Sequence, residues 1–231
     1  MNKIKMVVFD MAGTTVNEDN VVYKTLQQAI IDAGFDVSLE LVLAEGAGKE
    51  KLQAIKSVLL AHTNTDDDKL ASDIYGKFLP QLAKAYETYP IIPQPNAAEL
   101  FSELRKRNIL SILNTGYNLE TATSILEKLG WQVTVDFDGL ITASDVTKNR
   151  PNPDMIELAM KRFNITDGAE VVKVGDSIID IEEGNNAGCA LNIGITTGAH
   201  SLEQLQSANP DLVVDNLLGI LPAIDQINRT V

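Results

Sequence analysis

Residues 4–15, IKMVVFDMAGTT, decide how this chain is organised. An apolar run over 4–9 ends at Asp10 and passes into a polar turn that contains glycine. Nearly continuous runs of this kind are typical of strands buried on both faces of a parallel sheet. The pattern recurs at 109–113 before Asn114-Thr115-Gly116, at 171–174 before Gly175-Asp176, and in shorter runs at 190–195 and 212–214.

Helical patterns lie between these runs, at 97–106, 119–129, 154–163, 178–187 and 202–207. Strands and helices that alternate in this way predict an α/β fold with a doubly wound parallel sheet. Ligands of such sheets bind at the carboxyl ends of the strands, where the polar turns lie.

The segment 17–88 breaks the alternation, because it contains helical patterns at 21–33, 50–61 and 68–87 and no convincing strand. The proline-rich stretch 89–95 that follows cannot be helical and predicts a linker. We therefore expect an α/β core formed by 1–16 and 89–231, with an inserted helical cap at 17–88 that can close over the strand ends.

Composition sets the class of ligand. The 231 residues are 45% hydrophobic and 22% charged, with a net charge of −13 and one cysteine, Cys189. Such a chain can bury a large core, and its negative surface disfavours nucleic acid and membrane partners. An anionic small molecule fits only where basic groups or a metal reverse the field locally.

A single cysteine and no apolar stretch of about 20 residues predict a cytoplasmic protein.

Asp10 is the first candidate for chemistry. A carboxylate at a strand end suits a nucleophile that accepts a phosphoryl group, and the following turn, with Gly13 and Thr14, offers amides that can hold an anion. The alternative for an isolated aspartate is that it caps the following turn.

The other polar turns supply groups that suit phosphate. Thr115 and Gly116 offer a hydroxyl and an accessible backbone N–H, and the Arg150 guanidinium can neutralise phosphate oxygens. Taken singly, Thr115 could instead be an N-cap and Arg150 a solvated side chain. Their position at the strand ends of one sheet favours a shared site.

The third turn adds carboxylates. Asp176 and Asp180 lie four residues apart, about one helical turn. Together with Asp10, Asp176 supplies the hard oxygen ligands that Mg²⁺ prefers. The alternative for Asp176 is a capping role. The sequence therefore predicts a magnesium site beside Asp10.

The chain contains four motifs that resemble those of the haloacid dehalogenase superfamily. In chain order they are DMAGTT, the threonine of LNTGY, RPNPD and GDSIID. Three features are most similar to its phosphonatase-like branch, the phosphonoacetaldehyde hydrolases. These are Ala12 where most phosphatase members have a second aspartate, Tyr117 after Thr115-Gly116, and Arg150 where most members have lysine. The resemblance implies a Rossmann-like core with a helical C1-type cap.

The same resemblance implies a role for each motif residue. One group of residues would bind Mg²⁺, and Asp10 in this group would also be the nucleophile. A second group would hold the phosphoryl group. Tyr117 is a candidate substrate contact, and the alternative for it is a structural role. The metal ligands would be Asp10, the Ala12 carbonyl, Asp176 and Asp180, and the phosphoryl contacts would be Gly13, Thr14, Thr115, Gly116 and Arg150.

Ala12 determines the class of reaction. In phosphomonoesterases of the superfamily the aspartate at this position is the general acid for the leaving group, a role that contributes about 10²–10⁴-fold and that alanine cannot perform. Phosphonatases instead use a cap lysine that forms a Schiff base with an aldehyde substrate, and Lys49 aligns with it by its spacing of three from Gly46. Substrate-binding cation and solvated surface lysine are the alternatives for Lys49.

The resulting expectation is a Mg²⁺-dependent phosphohydrolase with an aspartyl-phosphate intermediate, most similar to phosphonoacetaldehyde hydrolase. The alternatives are a phosphomonoesterase similar to phosphoglycolate phosphatase, in which Lys49 only binds substrate, and a non-catalytic binder of phosphorylated ligands. The expected partner is a small phosphorylated or phosphonate metabolite, and the protein is expected to be a monomer or a homodimer.

Overall fold

A six-stranded parallel sheet forms the centre of the fold. The computed structural model describes residues 3–64 and 66–229, so the ends of the predicted core segments, 1–2 and 230–231, lie outside it. The strands of this sheet are β1 (Met6–Phe9), β4 (Leu110–Thr115), β5 (Gly139–Thr142), β6 (Val171–Gly175), β7 (Leu191–Ile195) and β8 (Leu212–Val214). Their order across the sheet is β5-β4-β1-β6-β7-β8.

Helices cover both faces of the sheet. Alternate residues of β1 enter different cores, Val7 and Phe9 on one side and Met6 and Val8 on the other. This burial on both faces is what the continuous apolar runs predict, and the α/β fold is confirmed. The core helices are α5 (Ala97–Lys106), α6 (Leu119–Leu129), α7 (Asp154–Arg162), α8 (Ile178–Asn186), α9 (Leu202–Ser207) and α10 (Leu221–Arg229).

Four helices lie between β1 and α5 in the chain and pack on one another. They are α1 (Val21–Asp32), α2 (Leu39–Gly46), α3 (Lys51–Thr63) and α4 (Asp68–Thr88). We call these helices and their connecting loops the cap. The Glu50 side chain accepts hydrogen bonds from the Leu52 and Gln53 amides at the N-terminus of α3. These hydrogen bonds hold the 47–50 loop at the start of the helix.

A two-stranded antiparallel ribbon, β2 (Val16–Asn17) and β3 (Ile92–Pro93), joins the two connections between cap and core. The sequence predicted only a linker here, because Pro93 cannot donate to a ladder and a two-residue strand has no periodicity. No helix in the described ranges is both long and apolar enough to span a bilayer.

Candidate active site

Asp10 follows β1 at the centre of the sheet and is 5% exposed. Its amide donates to the Val174 carbonyl of β6 at 2.9 Å, which fixes the start of the turn. The Gly13 amide donates to the Val16 carbonyl at 2.8 Å, and the Thr14 amide donates to the Met11 carbonyl at 3.2 Å. These two N–H groups are therefore already used.

The amides that remain in this turn are those of Met11 and Ala12. Across 3–64 and 66–229, neither donates to a backbone carbonyl. Gly13 has φ +81, and a Cβ built on it would lie 2.3 Å from Asp176 Oδ2. Glycine is required here because the turn has a left-handed conformation and packs directly on a carboxylate.

Three carboxylates meet at the strand ends. One oxygen each from Asp10, Asp176 and Asp180 lies within 4.8 Å of the others, and all three residues are buried. Asp176 accepts hydrogen bonds from Thr14 Oγ1 at 3.3 Å and from the Ala199 amide at 2.6 Å. Burial, together with repulsion from Asp10 and Asp180, raises the pKa of Asp176 well above its usual range.

Arg150 contacts Asp10 directly. The guanidinium is fully buried, and its Nη1 donates to Asp10 Oδ1 at 2.7 Å and lies 3.1 Å from Asp180 Oδ1. Its Nη2 donates to the Asn114 carbonyl at 2.8 Å. Burial raises the pKa of Asp10, while the charge of Arg150 acts against this rise. Arg150 thus forms a buried ion pair with Asp10.

Two further buried charges, which the motifs did not indicate, complete the arrangement. Glu183 accepts from Arg150 Nε at 2.9 Å, and Lys173 Nζ lies 2.9 Å from Glu183 and 3.0 Å from Asp180. Burial acts to raise the pKa of Asp180, but Arg150 and Lys173 outweigh it and the pKa is lowered. We call the whole set the buried charge cluster: Asp10, Asp176, Asp180 and Glu183, with Arg150 and Lys173.

The sequence held a signal for both of these residues. Lys173 interrupts an otherwise apolar strand, and a lysine buried in such a strand requires an acidic partner. Glu183 lies three residues after Asp180 on α8, so both point to the same side of the helix.

The charges of this cluster do not balance within the protein. Four buried carboxylates face two buried cations, which leaves two negative charges when all six groups are ionised. Asp180 Oδ1 is buried and accepts no hydrogen bond of good geometry, although both cations lie within 3.1 Å. One divalent cation bound by carboxylate oxygens would neutralise the excess, so the residues fit a hard divalent metal ion.

The second motif lies beside this cluster. Thr115 ends β4, and its Oγ1 accepts from the Tyr117 amide at 3.2 Å. A Cβ built on Gly116 would lie 2.6 Å from the Lys49 carbonyl oxygen, so only glycine allows the cap backbone to come this close. Tyr117 is 2% exposed and packs between core and cap.

A buried glutamate, also absent from the motifs, lies beyond Tyr117. The Tyr117 and Tyr86 hydroxyls are 2.7 Å apart, and Tyr86 donates to Glu18 Oε2 at 3.0 Å. Glu18 is 2% exposed, and burial raises its pKa to about 7. The nearest sequence signal was its position just before the first cap helix, which is equally typical of a capping residue.

Lys49, the lysine expected to form a Schiff base, lies at the cap–core boundary with its side chain half-buried. Its Nζ donates to Ser57 Oγ of α3 at 3.0 Å. Burial lowers the pKa of Lys49, while Glu45 and Glu182 act to raise it. The side-chain contact is thus to the cap itself.

Comparisons with known proteins identify the family of this chain. The haloacid dehalogenase-like hydrolase family model matches residues 4–188. A phosphonoacetaldehyde hydrolase of Parabacteroides distasonis is 30% identical over 99% of this chain and 98% of its own. A phosphoglycolate phosphatase of Vibrio parahaemolyticus is 26% identical over 96% of each chain.

The fold has solved counterparts as well. A phosphonoacetaldehyde hydrolase-like protein from Oleispira antarctica has a TM-score of 0.83 at 21% identity over 99% of this chain and 94% of that one. At this identity the likeness concerns the fold alone. The match over most of the sequence, together with the buried aspartate cluster, leads to one conclusion: the chain belongs to the haloacid dehalogenase-like hydrolases and is a hydrolase.

Proposed function

We propose that this chain is a Mg²⁺-dependent phosphohydrolase that transfers a phosphoryl group to Asp10, and that its substrate is a 2-oxoalkylphosphonate of the phosphonoacetaldehyde class. One observation carries the proposal. Asp10 is buried against Arg150 in a cluster with two excess negative charges, while the position two residues later is Ala12.

The residues of the buried charge cluster have different roles in the proposed reaction. Asp10 attacks phosphorus, and Arg150 holds the phosphoryl oxygens that the Asp10 carboxylate would otherwise repel. The Met11 and Ala12 amides, which donate to no backbone carbonyl among the described residues, would donate to the same oxygens. The ligands for Mg²⁺ would be Asp10, the Ala12 carbonyl, Asp176 and Asp180. When bound, the ion supplies charge neutralisation for the transferred group.

Lys173 and Glu183 act on position rather than on substrate. Glu183 fixes Arg150 through Nε, and Lys173 fixes both Glu183 and Asp180. Each of these side chains is fully buried. Phosphoryl transfer depends mainly on positioning and charge, so a rigid charged support is what the reaction requires.

The leaving group distinguishes a phosphonate from a phosphate ester. Breaking a carbon–phosphorus bond expels a carbanion, which a methyl side chain at Ala12 cannot protonate. A cap amine that forms an imine with the substrate carbonyl turns that carbanion into an enamine, which needs no acid at position 12. Several phosphonoacetaldehyde hydrolases among the relatives favour this reading.

The test is a reaction with phosphonoacetaldehyde and Mg²⁺ in which phosphate and acetaldehyde are followed together. We expect equal amounts of both products, and no products in the Asp10→Asn variant. Phosphate release from phosphomonoesters, with no acetaldehyde from the phosphonate, would contradict the proposed substrate.

A second function, a phosphomonoesterase, is favoured by Glu18. A buried carboxyl group with a pKa of about 7 suits a general acid at neutral pH, and the Tyr86–Tyr117 pair links it toward the strand ends. Phosphoglycolate phosphatases also occur among the relatives. If this function holds, Glu18→Gln lowers kcat on phosphoglycolate by about 10²–10⁴-fold while activity on nitrophenyl phosphate, whose leaving group needs no acid, changes little.

A further inference from the structure

A histidine that takes no part in the proposed reaction lies between the active site and the cap. His200 belongs to the loop between β7 and β8, just before α9, and it is 3% exposed. Both nitrogens of a histidine ring form hydrogen bonds, so burial requires a partner for each of them. The structure provides one partner in the core and the other in the cap.

The partner in the core is α8, the helix that carries Asp180. The Ile178 amide, at the first position of this helix, donates to His200 Nδ1 at 3.0 Å. This amide has no acceptor within its own helix, because the first four N–H groups of a helix lack intrahelical partners. The His200 ring therefore supplies the acceptor that the N-terminus of α8 needs.

The partner in the cap is the last turn of α2. Because Nδ1 accepts a hydrogen bond, the proton of the neutral His200 ring lies on Nε2. Nε2 donates to the Leu43 carbonyl at 3.1 Å. The same carbonyl accepts from the Ala47 amide at 3.1 Å, where the 47–50 loop begins. One ring thus joins the core and the cap, with a fixed role for each nitrogen.

The backbone beside His200 encloses Asp176, a proposed metal ligand. The His200 amide donates to the Asp176 carbonyl at 3.2 Å, and the Ala199 amide donates to Asp176 Oδ2 at 2.6 Å. Gly198 packs so closely on the same carboxylate that a Cβ at this position would collide with Oδ2. This loop therefore fixes both the backbone and the side chain of Asp176.

The loop also contacts the turn that follows Asp10. Thr197 Oγ1 donates to the Gly13 carbonyl at 2.6 Å. We call residues 197–200 the strap, because four consecutive residues contact the nucleophile turn, the Asp176 carboxylate, α8 and the cap.

A second core side chain holds the same part of the cap. Arg150 Nη1, which pairs with Asp10, donates to the Gly48 carbonyl at 3.2 Å. The cap backbone is thus held on one side by a group beside Asp10 and on the other by a group beside Asp176. Movement of α2 and the 47–50 loop away from the strand ends would break both hydrogen bonds.

Resting on the proposed Mg²⁺ site, we propose that His200 is a positioning residue that couples docking of the cap to the binding of Mg²⁺ through Asp176. With the cap docked, the Leu43 carbonyl fixes one edge of the ring, and the opposite edge fixes the Ile178 amide and the 176–178 turn. With the cap undocked, the ring loses its partner in the cap and restrains this turn less.

The coupling has a size and a direction. It is reciprocal, so a bound ion favours the docked cap by the same factor by which the docked cap favours the ion. Coupling carried by one hydrogen bond corresponds to about 2–10-fold in affinity. Cap docking and a fully ligated metal site therefore occur together.

The test uses the whole chain and two measurements: the Kd for Mg²⁺ by titration calorimetry and amide hydrogen exchange of the cap with and without Mg²⁺. His200→Asn is the informative variant, because the asparagine Oδ1 takes the place of Nδ1 as acceptor for Ile178, while the donor to Leu43 is lost. His62→Asn, at an exposed position of α3, is the matched control.

In wild type, we expect Mg²⁺ to slow amide exchange across 43–50 by about 2–10-fold. In His200→Asn this slowing should disappear and the Kd should rise by about the same factor, while His62→Asn should match wild type in both measurements. A merely structural role in the core predicts otherwise, because His200→Asn retains the acceptor for Ile178 and would keep the response of the cap.

Equal slowing of exchange in wild type and His200→Asn would overturn the inference and leave the proposed function intact. Binding of Mg²⁺ to wild type without any slowing across 43–50 would do the same, and this result does not depend on how well the variant folds. No binding of Mg²⁺ to wild type would overturn the proposed function as well.

Discussion

The buried charge cluster predicts how strongly Mg²⁺ should stabilise the fold. A ligand that binds only the native state at a hundred times its dissociation constant adds about 2.7 kcal/mol to the free energy of unfolding. For a chain of this size, about 2–4 °C per kcal/mol converts this into a rise of about 5–11 °C in Tm. The two excess negative charges are the physical reason, because metal-free folding must either bury them or protonate a carboxyl group such as that of Asp176, whose pKa is raised.

Asp176→Asn tests this reasoning. If the lost carboxylate weakens binding about a hundredfold, the same Mg²⁺ concentration adds only about 0.4 kcal/mol, or about 1–2 °C. Without metal the variant should melt at or above the wild-type temperature, because repulsion among Asp10, Asp176 and Asp180 already raises the pKa of Asp176.

Differential scanning calorimetry with and without Mg²⁺ measures both effects, and Asp73→Asn, an exposed aspartate of the cap, is the control. Equal Mg²⁺ shifts in wild type and Asp176→Asn would refute the assignment of the metal site. A metal-free Asp176→Asn protein that melts well below wild type would refute the argument from repulsion.

Three further predictions concern the support of the site. Lys173→Met should lower the free energy of unfolding by about 3–5 kcal/mol in urea titrations, because two buried carboxylates lose a partner; a loss below about 1 kcal/mol would contradict this. Gly48→Ala should lower kcat/KM by about 10²-fold, since its Cβ would meet Ser177, whereas Gly76→Ala on the open side of α4 should leave it unchanged. Glu18 has a pKa of about 7 in the folded state against 4.5 for an ordinary glutamate, so the folded state binds the proton more tightly and the free energy of unfolding falls by about 3 kcal/mol as pH rises from 4.5 to 7. Glu18→Gln should remove this part of the pH dependence in urea titrations at several pH values, and an unchanged slope would contradict it.

The sequence predicted the sheet and most core helices because their signals are local. Helices α5, α6 and α9 begin and end at the predicted residues, and β8 does as well. In contrast, α2 has only eight residues, too few for a clear period, and β5 is a four-residue strand that begins with Gly139. These elements form because neighbouring strands and helices cover their apolar side chains.

The candidate site likewise contains residues that the sequence predicted and residues that it did not. Asp10, Asp176, Asp180 and Arg150 stand in motifs, and the structure brings them together at the strand ends. Glu18 is different, because its surroundings include Tyr86 of α4 and, through the Tyr86 hydroxyl, Tyr117 of the loop after β4. Contacts between residues so distant along the chain leave no pattern in the local sequence.

The central claim is that Asp10 carries the phosphoryl group, and one measurement addresses it directly. A reaction with Mg²⁺ and substrate is quenched in acid, and the mass of the protein and of its peptides is determined. We expect one added phosphoryl group, located at Asp10 and absent from Asp10→Asn. A phosphoryl group on another residue, or an Asp10→Asn variant that keeps even a few per cent of wild-type turnover, would contradict the account.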